Sequence, residues 1–349
     1  MNERGGAMLS LTNKSLIAII GVTSAALMGV VGCSSSSDDN NPGGGNGDGG
    51  IIGNDGGPTA DGSVPTDGGK DDGSTGGTTI KTGSVTYSQS NIAAAYSDFG
   101  TAAFYELPSG TDLDCAGYTT IGTPSASNAA CTIKLCTVPV VPSDAGVDAG
   151  DSDAGVVVAP NTGDITLKSA LQTTGVVVAA GSNGMYTTAT GVTQWWAAGD
   201  ATVEIKSNGS ATSIPAFDNT ALVGPGDLTA PMVGTTNVAI PSATPIAFDR
   251  GTDLNIAYSG GTAGTKVYVL LTTKSTAQKS IISCDFDAAN GAQKIAAADL
   301  AHLEKANGTD IVGSFNLQAR NVKPTTAGDY TFNVVLEANA HNGSFTNSN

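Results

Sequence analysis

Between residues 79 and 349, apolar side chains recur at every second position in short runs. In "DLNIAYS" Leu254, Ile256 and Tyr258 fall on one side, and in "IISCDFD" Ile282, Cys284 and Phe286 do. "SFNLQA" alternates through Phe315 and Leu317, and "DYTFNVVLEA" through Tyr330, Phe332, Val334 and Leu336. A period of two is that of a strand with one buried face. "KVYVLLTT" (266–273) is apolar more continuously, as in a strand covered on both faces. Earlier runs such as "SVTYSQS", "TAAFYEL", "CTIKLCTV", "DITLKSA", "GVVVAAGS", "TQWWAA" and "ATVEIKS" also read as β. Clusters of Gly, Pro and Asn break the runs at roughly ten-residue spacing, the rhythm of a β-sandwich. One stretch has a different period. In "AAADLAHLEKANG" Leu300 and Leu303 lie three apart and Asn307-Gly308 supplies a stop, which predicts one short helix.

The proline-bearing stretch from Leu222 to Pro245 is the best interior boundary. The expected fold is therefore all-β: two tandem sandwiches, 79–230 and 231–349, with one short helix in the second. An immunoglobulin-like topology is a candidate for the second, although the Cys and Trp hallmark is missing. Composition agrees, with 47 glycines and only 13% charged residues, which suits short strands and turns better than exposed helices.

Residues 34–78 are almost entirely Gly, Asp, Asn, Ser, Thr and Pro, and cannot bury enough surface to offset chain entropy. They predict a disordered tether (33–78 with the cysteine that opens it), whose coil span is roughly 35–40 Å. The net charge of −16 belongs largely to such pieces: the tether alone holds eight aspartates against Lys70. A second acidic stretch, "SDAGVDAGDSDAG" (143–155), reads as a solvated loop in the first sandwich. Only Asp151 and Asp153 alternate and no glutamate follows, so the match to a calcium loop is poor. No basic patch is present, which argues against a nucleic-acid partner.

The first residues place a basic Lys14 before the uncharged apolar run Leu16–Gly32, the pattern of an export signal. As a helix the run spans about 25 Å, short of a hydrocarbon core of ~30 Å, so a membrane-spanning anchor fits less well. Val30-Val31-Gly32-Cys33 resembles the lipobox of bacterial lipoproteins, with Val31 a mild departure from the usual small residue. The resemblance implies a signal peptide over 1–32, cleavage between Gly32 and Cys33, and acyl chains on Cys33 that hold the protein to a membrane. Ser34 follows where an aspartate would retain the protein at the inner membrane, so the resemblance implies the outer membrane. Beyond the lipobox, the chain is similar in composition to tethered, Asp/Gly-rich surface lipoproteins of Gram-negative bacteria.

Four cysteines remain: Cys115, Cys131, Cys136 and Cys284. In an exported protein their even number points to disulfides. Cys115 with Cys131 or Cys136 makes a local loop; Cys284 pairs with the remaining cysteine or stays a buried thiol. Two close pairs of ligands are not present, so a zinc site is poorly supported. Of the two histidines, His302 lies three residues from Asp299 on the expected helix, a spacing that could orient an imidazole but is commoner in surface pairs. No nucleophile elbow, zinc-protease or phosphate-loop motif occurs. Trp195-Trp196 is the one aromatic pair suggestive of binding. In a strand, one indole would face the core and the other could stack on a sugar ring, with Tyr186 as a second platform; alternatively both are buried.

The functional expectation is a lipid-anchored, non-enzymatic protein of the cell envelope or surface, with a structural, adhesive or ligand-binding role and no cofactor. Its partners would be the membrane, through Cys33, and a protein or glycan. The alternatives are a carbohydrate-binding module built on Trp195 or Trp196, and a secreted hydrolase using two carboxylates.

Overall fold

The protein is described through a computed structural model, in which the described residues are 79–92, 95–115, 118–137, 157–158, 162–181, 186, 189–210, 213–238, 245–274, 278–306 and 313–348. The expected signal peptide, the tether, Gly32, Cys33 and the acidic loop lie outside them.

Alternation of side chains becomes strand almost throughout. In chain order the first elements are β1 (Thr79–Gln89), β2 (Asn91–Ile92), β3 (Ala95–Tyr96), β4 (Asp98–Pro108), β5 (Thr119–Gly122), β6 (Cys131–Thr137), β7 (Val157–Val158), β8 (Ile165–Lys168), β9 (Val176–Val178), β10 (Ala189–Gly191), β11 (Val203–Ser207) and β12 (Phe217–Leu222). There follow β13 (Thr229–Val233), β14 (Thr236–Asn237), β15 (Ile246–Asp249), β16 (Leu254–Ser259), β17 (Lys266–Lys274), β18 (Gln278–Asp287), β19 (Ala292–Ile295), α1 (Ala297–Leu300), β20 (Gly313–Ala327) and β21 (Tyr330–Ser348).

An 11-stranded sheet runs β10-β4-β1-β21-β20-β17-β18-β6-β5, with β15 beside β21 and β7 beside β4. Two four-stranded sheets, β12-β11-β8-β9 and β14-β13-β16-β19, complete the sandwiches. The first core packs Tyr87, Phe104, Phe332, Val334 and Leu336 of the large sheet with Leu167, Ile205 and Phe217 of the first small sheet. The second packs Val269, Ile282, Phe286, Leu317 and Phe345 with Leu254, Ile256 and Ile295. Two sandwiches thus exist, as the strand rhythm predicts.

The expected boundary near 230 does not divide the strands between them. The hairpin β20–β21 runs through both cores, because strands of 15 and 19 residues are longer than one sandwich needs. β21 lies parallel to β1 from Thr331 to Ala338, then parallel to β15 from Phe345 to Ser348. β5 and β6, from the earlier half, extend the sheet of the second core beyond β18. Residues 231–349 therefore do not close a self-contained immunoglobulin-like domain. Where β21 changes neighbours, its register with β20 slips: Leu317 faces His341 but Ala319 faces Ala338. The extra residue makes a bulge, which bends the strand and lets the sheet pass from one core to the next. Asn339 lies in it with φ +33°, a conformation Asn tolerates better than most residues.

The helix is shorter than its sequence suggests. α1 ends at Leu300, although Leu300 and Leu303 are both buried as expected. Beyond it, tertiary bonds take the backbone groups a longer helix would use. Arg250 donates to the Leu303 carbonyl, Asn347 to the Glu304 carbonyl, and the Glu304 N–H donates to Thr273 Oγ1.

Candidate functional site at the seam of the two cores

Following the inward face of the large sheet toward the bulge, apolar residues give way to polar ones. On β1 the series Val85, Tyr87 is continued by Gln89; on β4 the series Phe104, Ala102 reaches Asp98; on β21, Asn339 and His341 follow Leu336. All four polar side chains are at most 5% exposed. Burial of this kind is tolerable only where hydrogen bonds replace water.

Gln89 meets that condition. Its Oε1 accepts from the Trp195 and Trp196 N–H groups at 2.8 and 3.0 Å, and its Nε2 donates to the Trp196 carbonyl at 3.2 Å. Trp196 Nε1 donates to the Pro225 carbonyl, and the Trp195 ring meets Tyr87 edge-on. Glycines permit the close fit: a Cβ on Gly191 would stand 2.5 Å from Trp195 Nε1, and one on Gly224 would stand 2.5 Å from Trp196 Cδ1. Both indoles are buried, at 2% and 0% exposure, so of the two readings of the pair it is the buried one that holds. The reason is local. Residues 192–198 are irregular and not a strand, so neighbours need not point to opposite faces. Tyr186 is also engaged, accepting from the Thr162 N–H at 2.7 Å and packing near Phe104. Burial pushes its hydroxyl up to about 12.

The rest of the seam is less completely satisfied. Asn339 Oδ1 accepts from the Asn91 N–H at 2.6 Å, and Asp98 Oδ1 accepts from the Ser90 N–H at 3.2 Å. Asp98 Oδ2, Asn91 Oδ1 and His341 Nε2 have no hydrogen-bond partner. His341 Nδ1 lies 2.9 Å from the Val238 carbonyl, and the Leu228 backbone also acts on the imidazole. Burial pushes the Asp98 carboxyl up to about 7, with the Asp227 charge adding to the rise. Burial also raises Asp227, and it lowers His341 below the usual imidazole range. This belt of carboxyls and an imidazole was not singled out from sequence. The polar residues at the ends of three alternating runs were its only signal there.

The cysteines form two disulfides, Cys115–Cys136 and Cys131–Cys284. Cys131 and Cys284 are direct cross-strand neighbours on β6 and β18 and face the second core. Cys136 lies five residues along β6, on the opposite face, where it packs with Cys115 and Ile281. Asp299 and His302 do not form a dyad: Asp299 Oδ1 accepts from the Ser127 N–H at 2.8 Å and so docks the 123–130 loop. Among the described residues no group of three or more His, Cys, Asp or Glu could hold a metal ion, and no helix is long and apolar enough to cross a membrane.

A second polar cluster lies on the outer face of the large sheet. Arg320 makes a two-pronged ion pair with Asp285 at 2.8 and 2.7 Å and lies 3.5 Å from the centre of the Tyr268 ring. Glu337 is opposite Arg320 in register, and burial raises its carboxyl despite that cation. These partners satisfy one another and read as a strut across β18, β17, β20 and β21.

No family model matches the chain, and no curated protein matches it either.

Proposed function

We propose that this is an exported protein, lipid-anchored at the outer membrane through Cys33, whose β-sandwich head has a structural, adhesive or ligand-binding role. The observation that carries the reading is the use of cysteine. Two disulfides consume all four cysteines of the head, so Cys33 is left as the odd one, at the end of the apolar run 16–32. Paired cysteines suit an oxidising compartment, and the lone one has the sequence neighbours that lipid attachment requires. The alternatives gain less support. A glycan platform would have to lie elsewhere than on Trp195 and Trp196, which are buried. Asp98 and Asp227 interact, but at 3% exposure Asp98 does not present itself to a polymeric substrate.

The test is labelled-palmitate uptake and membrane fractionation of cells expressing the full chain and its Cys33→Ala variant. Label and outer-membrane sedimentation are expected for the first and absent for the second. An unlabelled full chain would remove the anchor from the proposal.

A further inference from the structure

The chain that precedes the head joins it at Thr79, the first residue of β1. β1 is an interior strand of the large sheet, with β4 on one side and β21 on the other. Ten residue pairs join it to β4, from Thr79 with Pro108 to Ser88 with Phe99. Eight join it to β21, from Thr82 with Thr331 to Gln89 with Ala338, and this pairing is parallel. The start of β1 and the end of β21 at Ser348 therefore lie at opposite ends of the sheet. Tension between them runs along both strands and loads every pair of the ladder at once, instead of opening the pairs one after another. Both strands also lie outside the stretch from Cys115 to Cys284 that the two disulfides tie, so the load falls on hydrogen bonds and packing.

Sliding under that load is obstructed along the whole strand. Near the entry, Lys81 pairs with Glu106 at 3.4 Å and Asp329 at 3.8 Å, and lies over the Tyr330 ring. Farther in, the Tyr87 hydroxyl donates to the Ile165 carbonyl of the facing small sheet at 3.0 Å, and Gln89 holds the Trp195 and Trp196 peptides. A slip of one residue turns Val85 and Tyr87, both fully buried, out of the core. A slip of two toward Thr79 carries Val85 to the place of Gly83, where a Cβ stands 2.5 Å from the Ala103 carbonyl oxygen and 2.6 Å from Phe104 Cδ1. The same slip drags the Gln89 amide from its partners into the apolar place of Tyr87.

We propose that β1 is a mechanical clamp: the head receives tension arriving through the residues before Thr79 as shear against β4 and β21, and so stays folded while it is pulled. The proposal rests on the anchored reading for the source of the tension. A partner gripping the second core, into which β21 runs, stretches the head along this axis against the attachment at Cys33.

The test is single-molecule force spectroscopy on the purified full chain, unlipidated and with both disulfides formed, one handle on the Cys33 thiol and the other on the C-terminus. Rupture is governed by the unfolding rate under load, so at equal loading rate its force should be at least about twofold higher than with the second handle at Ser109. Ser109 is exposed and follows the partner of Thr79, so from there the same pull opens the β1–β4 ladder pair by pair. Tyr87→Phe combined with Gln89→Ala should lower the first force and leave the second unchanged, because unzipping starts at the other end of β1. Should that variant not fold, the two geometries in the unaltered chain decide. Equal forces in the two geometries, or a drop that the variant shows equally in both, would overturn the proposal. Palmitate labelling fails separately: an unlabelled chain removes Cys33 as the anchor, whereas equal forces remove the clamp.

Discussion

At the scale of single residues, the Gln89 side chain has the largest structural reach. One amide joins β1 to two consecutive peptides more than a hundred residues away. Replacing it by Ala leaves two buried N–H groups without their partner, while the Trp196 carbonyl keeps the Gln194 side chain. Each such group costs about 1–3 kcal/mol, partly recovered by entering water. Gln89→Ala should therefore lower unfolding free energy by about 3 kcal/mol in a urea titration, with the midpoint moved and the slope retained. Its tryptophan emission should shift to the red and become accessible to acrylamide, whereas the native indoles resist quenching. Gly191→Ala tests the same packing from the other side. Its Cβ would meet Trp195 Nε1 at 2.5 Å, so overpacking of about 1–3 kcal/mol is expected. The pair Trp195-Trp196 was visible in the sequence, with its burial as one of two readings, but the contacts that bury it were not. Periodicity assigns faces only inside strands, and the glutamine that fixes this irregular segment is remote in the chain.

At the scale of elements, β6 shows how covalent and non-covalent terms combine. It is bonded to β18 by backbone register, held on its inner face by Cys131–Cys284 and on its outer face by Cys115–Cys136. Lys134 adds ion pairs to Asp112 and Asp114. On chain-entropy grounds, disulfides with sequence separations of 21 and 153 residues are worth about 3 and about 5 kcal/mol. Non-reducing peptide mapping should recover Cys115 linked to Cys136 and Cys131 to Cys284. Reduction should release exchange protection first in β5 and β6, which neighbour only each other and β18, and later in β20 and β21. The number and evenness of these cysteines were legible in sequence. Their connectivity depends on which strands are neighbours and in what register, and alternation carries neither. The helix illustrates a related limit. Its apolar spacing correctly marked two buried leucines, but the competing tertiary partners of residues 303–306 end it after a single turn.

At the scale of the whole molecule, strand content and the presence of two sandwiches could be read from alternation and turn spacing, because both are local properties. The allocation of strands to cores could not, because it is decided by pairings such as Tyr87 with Leu336, which are separated by most of the folded chain. The consequence is a prediction about dissection. A cut between residues 230 and 231 follows the proline-bearing stretch that separates the two halves in sequence, yet it severs both cores. The fragment 79–230 loses β21, which sits between β1 and the rest of the large sheet, and with it Phe332, Val334 and Leu336 from its core. The fragment 231–349 keeps those side chains with nothing to pack against, at roughly 1.5–3 kcal/mol each. It also loses β6 from the edge of β18 and the partner of Cys284. Typical domain stabilities of about 5–15 kcal/mol do not absorb losses of that size. Neither fragment should show a cooperative thermal transition or dispersed amide spectra alone, while mixing the reduced fragments and reoxidising them should restore both. A cooperative transition in 231–349 by itself would mean that the second core closes without β5 and β6, and that the shared hairpin is an embellishment of two ordinary domains instead of the element that makes them one folding unit.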